Sequence, residues 1–334
     1  MNTLRNKRVL ITGGAGFIGS NLCESMLLAG NEVVCLDNFA TGKRSNVAEF
    51  EGNPRFELVE GDIRDPGICR KAMEGCDLIL HQAALGSVPR SINDPLTSND
   101  VNITGFLTML HSAREVGIKR FVYAASSSTY GDSKALPKVE DVIGLPLSPY
   151  AVTKYVNELY AHVYHQLFGM DIIGLRYFNV FGKRQTPDGA YAAAIPKFIK
   201  AFIEHRSPVL HGDGTQTRDF TYIANVVQMN HLAATTTRPE ALGKVYNAAC
   251  GDRTNLLDLV QIIREALLPF DPAIADVPIA FGPPRQGDVR DSLADVSRAK
   301  RLLGYKPTHR LKEGIQEAIG WYWHNLSEQE GGDA

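Results

Sequence analysis

The chain predicts an α/β fold, a doubly wound parallel sheet with a smaller mixed α/β lobe packed against it. Three observations carry that reading. Short apolar runs of strand length alternate with amphipathic stretches through the first 177 residues, the pattern of β-α-β units whose strands pair in parallel through right-handed crossovers. The first such unit holds Gly13-Gly14-Ala15-Gly16-Phe17-Ile18-Gly19 between strand and helix. Residues able to do chemistry gather where the strands end, the edge at which open α/β sheets bind ligands.

Lys7 to Thr12 reads as a buried strand, and the glycine run after it opens a helix ending near Ala29. A G-x-x-G-x-x-G turn in strand–turn–helix context is the mark of a dinucleotide-binding Rossmann sheet. Glycine lets the backbone approach a pyrophosphate, and the helix N-terminus offers N–H groups and a positive dipole end. The second strand, Glu32 to Leu36, ends at Asp37, an acid placed to accept hydrogen bonds from ribose hydroxyls. The same carboxylate repels a 2′-phosphate, which selects NAD over NADP. A third strand, Phe56 to Glu60, leads to Gly61-Asp62-Ile63, with Asp62 placed to meet an adenine edge. The fourth, Leu78 to His81, opens into Gln82-Ala83-Ala84-Leu85-Gly86-Ser87-Val88. Those small residues suit a loop lying against a cofactor, although composition alone fits a flexible connector equally well. A helix over about Leu96–Val116 and a strand over Arg120–Ala125 follow.

Ser126-Ser127-Ser128-Thr129-Tyr130-Gly131 comes next. A serine run is usually a solvated turn, and it gains meaning here only if Tyr150 lies nearby. In Ser148-Pro149-Tyr150-Ala151-Val152-Thr153-Lys154, Ser148 suits the N-cap and Pro149 the first helical position. Tyr150 and Lys154 then stand at i and i+4 on one helix face. A free phenol titrates near pH ~10, and a neighbouring ammonium is expected to bring it toward the working range. The helix runs to Phe168, with Tyr155, Leu159, Val163 and Leu167 in one apolar stripe, and Ile172 to Tyr177 is a further strand. Beyond Asn179 the alternation breaks. Gly182–Gly189 reads as loop, Ala192–Glu204 as helix and His211–Gln216 as a turn cluster, with helices near 223–236, 256–267, 296–303 and 311–326. Residues 1–180 are expected to form the dinucleotide-binding domain, with parts of 215–250 returning to it and 181–330 mainly the second lobe. The tail 327–334 is expected to fray.

The totals exclude several classes. Net charge is −2 and the pI about 6.5, so no basic footprint for nucleic acid or an anionic membrane exists. The five cysteines form no C-x-x-C pair and the nine histidines no H-E-x-x-H, so no metal site is expected. Cys23, Cys35, Cys69, Cys76 and Cys250 sit mostly in apolar runs, as buried thiols of a reducing compartment do. No signal peptide and no apolar run of membrane-spanning length are read, and the expectation is a cytoplasmic protein.

Taken together, the segments at 13–19, 37–38, 61–63, 81–84, 126–131, 150–154, Arg176–Gly182, Arg218–Ile223 and Arg285–Val289 resemble the extended short-chain dehydrogenase/reductases, specifically the nucleotide-sugar 4-epimerases. Ala84 to Ser91 is most similar to those members that act on UDP-N-acetylglucosamine. The resemblance implies bound NAD held by Gly13, Gly16, Phe17, Ile18, Gly19, Asp37, Asn38, Gly42, Asp62, Ile63, Gln82, Ala83, Ala84, Asn102, Tyr150, Lys154 and Tyr177. It implies Tyr150 as base, Lys154 as the residue tuning it, and Ser126 at the reacting hydroxyl. A UDP-hexose would meet Gly86, Ser87, Ser126, Ser127, Ser128, Tyr150, Asn179, Ala193, Arg218, Arg285, Asp288 and Ser292, the last beside the C2 substituent. Dehydratases of the superfamily carry an Asp-Glu pair after the serine-loop threonine, where this chain has Tyr130 and no acid. UDP-glucuronate chemistry stays open, because it begins with the same C4 oxidation. A homodimer through the helices near 96–116 and 150–168 is implied as well.

Overall fold

The structure is a computed structural model that describes residues 3–187, 193–283 and 290–327. Its first half runs β1 (Arg8–Thr12), α1 (Phe17–Leu28), β2 (Glu32–Asp37), β3 (Phe56–Glu60), α2 (Pro66–Ala72), β4 (Leu78–His81), α3 (Val88–Asn93), α4 (Pro95–Asn99), α5 (Phe106–Glu115), β5 (Arg120–Ser126), α6 (Pro149–Phe168) and β6 (Asp171–Tyr177). Then come β7 (Val180–Phe181), α7 (Ala194–Ile203), β8 (Val209–His211), β9 (Thr217–Arg218), β10 (Thr221–Tyr222), α8 (Ile223–Thr235) and β11 (Lys244–Ala248). The chain closes with β12 (Thr254–Asn255), α9 (Leu256–Leu267), β13 (Ala280–Gly282), α10 (Ser297–Leu303) and α11 (Leu311–Ser327).

Seven strands make one parallel sheet in the order β11-β6-β5-β4-β1-β2-β3. The chain winds outward from β1 to β3, then returns to lay β4 on the other side of β1. The order therefore reverses between β1 and β4, and a crevice opens beyond their carboxyl ends. Thr12 pairs with Leu36 on one side and His81 on the other, which brings three strand ends level. β11 joins the far edge against β6, so residues well past 180 complete the sheet.

Both faces are covered, which is why these strands read as near-continuous apolar runs. On one face Val9 and Ile11 pack with Leu22 and Met26 of α1 and Met229 and Leu232 of α8. On the other, Leu10 packs with Phe106, Met109 and Leu110 of α5 and Ala161 and Tyr164 of α6. A separate core joins α7, α9 and α11 through Phe198, Phe202, Leu259, Ile263, Ile315 and Tyr322. Fully burying each such side chain is worth about 1.5–3 kcal/mol. Three separate two-stranded pairs, β7–β10, β9–β12 and β8–β13, complete this part of the chain.

Two departures from the sequence reading bear on the site. The helix expected over 96–116 is interrupted: α4 passes through a wide π-type turn at Asp100–Gly105 before α5 begins. Asn102, buried in that turn, accepts from Leu85 N–H at 2.7 Å and donates through Nδ2 to Leu85 O and Thr153 Oγ1, each at 3.1 Å. It clamps the loop after β4 onto α6. Further, the small-residue loop at 82–88 runs straight into α3. Ser87, at φ +102°, caps that helix by accepting from Arg90 N–H.

Candidate active site

The crevice at the β1/β4 reversal is a cavity of about 510 Å³. The glycine turn forms one wall. Gly13 sits at φ +65°, and a Cβ there would lie 2.8 Å from Ala83 N and Cα. At Gly19 a Cβ would come within 2.0 Å of Gly13 O. Only bare backbone lets β1, the turn and the loop after β4 meet so closely. α1 begins at Phe17 with no side chain capping its N-terminus, so its first N–H groups and dipole end face the cavity.

One end of the cavity is acidic. Asp37 is buried and accepts from Ala15 N–H at 2.9 Å and Phe39 N–H at 2.8 Å. Burial raises its pKa, and those two bonds oppose the rise. Asp62 accepts from Asn38 Nδ2 at 2.9 Å and from Arg64, whose guanidinium holds its carboxyl down at about 2. Asp37, Asn38, Asp62 and Ile63 all line this end. Gly42 stands just behind them: its Cβ would meet Asp37 Oδ1 at 3.0 Å, while the neighbouring Ala40 and Thr41 do the lining.

The other end holds Ser126, Tyr150, Lys154, Tyr177 and Asn179. Ser148 caps α6 by accepting from Ala151 N–H at 3.2 Å, and Tyr150 N–H donates to Ser91 Oγ at 3.0 Å, so the first turn is held from two sides. Lys154 is buried on the same helix face and donates from Nζ to Ala124 O at 2.9 Å. Burial draws its pKa down to about 8, with Glu158 one turn on pushing back. The Tyr150 phenol departs from the sequence expectation. Burial raises it, the nearby Ser126 hydroxyl opposes that rise, and the ammonium is 6.0 Å from the ring centroid. The ammonium alone does not lower this phenol.

Behind this end lies a polar ring. Tyr177 O–H donates to Gln82 Oε1 at 2.9 Å and accepts from Asn230 Nδ2 at 3.0 Å. Gln82, Ala83, Ala84 and Gly86 line the cavity beside it. His81, also at a strand end, does not reach the cavity. It is buried, with Nδ1 2.8 Å from Thr12 Oγ1, and burial lowers its pKa to about 3. Asn230 on α8 carries no local sequence signal, because its role arises only from the chain crossing back over the sheet.

A second cavity, about 440 Å³, shares Ser126 and Asn179 with the first. Ser127, Ser128, Arg218 and Ser292 line it, and the serine run reaches Tyr150 through Ser126. Ser128 Oγ donates to Ser126 Oγ at 2.8 Å. Asn179 donates to Asp219 O at 3.0 Å, and Arg218 Nη1 to Thr217 O at 2.8 Å. No carboxylate lines this cavity among the described residues. Three expected contacts fall elsewhere. Ser87 is occupied in capping α3, Asn102 is a buried clamp, and Ala193 is an exposed residue before α7. Arg285 and Asp288 lie outside the described residues.

The paired cavities have the shape of a two-ligand site. The first offers bare glycine backbone between an acidic end and a phenol–ammonium end, a fit for a dinucleotide. The second, joined to the first through Ser126 and Asn179, offers hydroxyls and an arginine. Among the described residues no group of His, Cys, Asp or Glu could hold a metal ion, and no helix is long and apolar enough to cross a membrane.

Residues 9–249 match the NAD dependent epimerase/dehydratase family. The chain is 35% identical over 318 residues to the UDP-glucose 4-epimerase of Mycolicibacterium smegmatis, covering 94% of this chain and 98% of that one. Its structure is similar to the UDP-N-acetylglucosamine 4-epimerase of Methanobrevibacter ruminantium M1, solved with UDP-N-acetylmuramic acid. The TM-score is 0.89 at 35% identity, covering 96% of this chain and all of that one (100%). It is also similar to the UDP-glucuronic acid 4-epimerase of Bacillus cereus, solved with UDP-glucuronic acid and NAD. There the TM-score is 0.85 at 32% identity, covering 95% and 99% of the two chains.

Proposed function

Because this chain belongs to the NAD dependent epimerase/dehydratase family, we propose that it is a UDP-sugar 4-epimerase that interconverts UDP-N-acetylglucosamine and UDP-N-acetylgalactosamine. The observation that carries the reading is that Ser126 lines both cavities and meets Tyr150 and Lys154 in the first, which is shaped for a dinucleotide, while no carboxylate among the described residues lines the second. The cofactor is NAD. The close-packed glycine turn fits its pyrophosphate, and Asp37 suits its adenosine ribose while disfavouring a 2′-phosphate.

In this mechanism Tyr150 takes the proton from the sugar 4-hydroxyl, with Ser126 bonded to the same oxygen. NAD, when bound in the first cavity, would supply a hydride acceptor and donor for sugar C4 and a positive nicotinamide charge that favours the phenolate. Lys154 adds a second positive charge on the same side and, through Ala124 O, has its ammonium fixed in place. Asn179 and Arg218 grip the nucleotide end, together with Arg285 and Asp288, while Ser127, Ser128 and Ser292 make light contacts with the hexose. Binding is thereby concentrated on UDP, so the flat 4-keto hexose is free to turn and present its other face. Tyr150 then gives its proton back. Gly13, Gly16, Phe17, Ile18, Gly19, Asn38, Asp62, Gln82 and Tyr177 hold the cofactor throughout, because loss midway strands the keto sugar. With Tyr130 directly after Thr129, where the dehydratases of the family carry an Asp-Glu pair, the serine turn offers no acid to drive elimination of water. A second copy of the chain is proposed to cover the exposed face of α6.

The test is a product assay with UDP-N-acetylglucosamine, UDP-glucose and UDP-glucuronate. Conversion of the acetylated sugar to its C4 epimer is expected to be fastest. Turnover of UDP-glucuronate alone would replace this reading with the uronate one.

A further inference from the structure

Among the described residues, the second cavity is lined by one charged side chain besides Arg218, and the mechanism above gives it no part. Lys138 stands in the extended segment between the serine turn and α6. Its backbone is fastened to the stretch just after Ser292. Its N–H donates to Leu293 O at 2.7 Å, and its carbonyl accepts from Asp295 N–H at 2.9 Å and Asn247 Nδ2 at 2.8 Å. The residue is only 6% exposed, yet it lines the cavity with Ser126, Ser128, Asn179 and Ser292. Nζ donates to Ser133 O at 2.5 Å. Burial lowers its pKa, Lys134 of like charge lowers it further, and no carboxylate among the described residues acts against them.

An ammonium carries three donors and no acceptor. One donor goes to Ser133, which leaves two, and no carboxylate among the described residues offsets the charge beside the cavity. A buried cation without a counter-charge is costly, so its natural complement is an oxygen that only accepts. A hydroxyl of a plain hexose can accept from it too, but its oxygen carries less negative charge than a carbonyl or carboxylate oxygen does. A carbonyl or carboxylate oxygen is a pure acceptor, and a hydrogen bond to it from a cation is stronger than a neutral one.

We propose that Lys138 is a specificity-determining residue, donating to a carbonyl or carboxylate oxygen carried as a substituent on the hexose. The inference rests on the UDP-hexose reading above and deepens it. The oxygen is the N-acyl carbonyl if UDP-N-acetylglucosamine is the substrate, and the C6 carboxylate if a uronate is. Lys138 touches no reacting atom and sets which hexose is preferred.

The experiment measures kcat/KM for UDP-N-acetylglucosamine, UDP-glucuronate and UDP-glucose in the NAD-loaded wild type, in Lys138→Met and in Lys138→Gln. Thermal melting reports folding of each. The wild type should prefer at least one of the two oxygen-bearing sugars over UDP-glucose. That selectivity ratio should fall about 10- to 100-fold in Lys138→Met and by less in Lys138→Gln, which keeps an N–H donor. If Lys138→Met does not fold, the ratio in Lys138→Gln decides alone. A ratio left unchanged, including one in which all substrates fall together, would overturn the proposal, as would a wild type indifferent to the substituent. The two readings fail separately. A wild type that turns over only UDP-glucuronate removes the acetyl-sugar function, whereas Lys138's role still stands if the variant loses that preference.

Discussion

In the proposed mechanism the chemistry turns on Tyr150, and its environment is unfriendly to ionisation. The phenol is buried and raised, with only Ser126 lowering it, and Lys154 is itself drawn down to about 8 by burial. Protein alone does not make this phenol a base. The sequence showed the i, i+4 pair but not its desolvation, which comes from α3, β5 and the loop after β4 closing around it. Removing the hydroxyl in Tyr150→Phe should lower kcat by about 10²–10⁴-fold. UDP affinity, measured by calorimetry, should stay within a few fold, and turnover near the wild-type rate would remove Tyr150 from the mechanism.

His81 makes a residue-scale prediction about stability. In the folded chain it is buried, neutral and bonded to Thr12, with its pKa near 3 rather than 6.5. Unfolded chains therefore bind a proton that the folded chain refuses between those values. The stability His81 confers is whole above pH 6.5 and is lost as pH falls toward 3. Urea midpoints should fall between pH 6.5 and 4.5, and His81→Gln, which keeps a partner for Thr12, should flatten that slope. An equally steep slope in the variant would assign the effect to other groups.

At the scale of elements, most of the fold was legible because the sheet is buried on both faces. β1, β4 and β5 read as apolar runs followed by helices that cover the sheet, and β6 as a further apolar run. What escaped was set by tertiary contacts. α3 depends on Ser87 taking φ +102°, and the π-type turn on Asn102 reaching across to Leu85 and Thr153. Neither leaves a periodic trace. The glycine turn was legible in kind, and the structure adds a ranking. A Cβ at Gly19 meets Gly13 O at 2.0 Å, whereas at Gly16 the same atom is 3.1 Å away. Gly19→Ala should therefore purify with little bound NAD and a lower melting temperature, and Gly16→Ala should retain more of both. Equal NAD content in the two, read by absorbance after denaturation, would contradict the ranking.

Across the whole molecule, the site exists only because the chain crosses back. Asn230 and β11 come from beyond residue 180, and Arg218 and Ser292 enter the second cavity from the far lobe. Motif matching located the arginine and the serine, but Asn230 and Lys138 had nothing local to announce them. The outer face of α6 tells the opposite story, since its stripe was plain in the sequence. Leu159, Val163 and Leu167 are 49%, 45% and 71% exposed, more apolar surface than a helix facing water usually carries. Sedimentation should give a dimer at micromolar concentration and a monomer for Leu159→Glu/Leu167→Glu. A wild-type monomer would leave the stripe without a partner.

The proposed mechanism requires one hydrogen to leave sugar C4 and come back to the same carbon. Epimerisation of UDP-N-acetylglucosamine deuterated at C4, followed by mass spectrometry of the UDP-N-acetylgalactosamine formed, examines that directly. Full retention of deuterium at C4, with none gained when unlabelled sugar reacts in D₂O, is the expected result. Exchange of that hydrogen with solvent would mean proton abstraction from carbon and would contradict the oxidation–rotation–reduction mechanism.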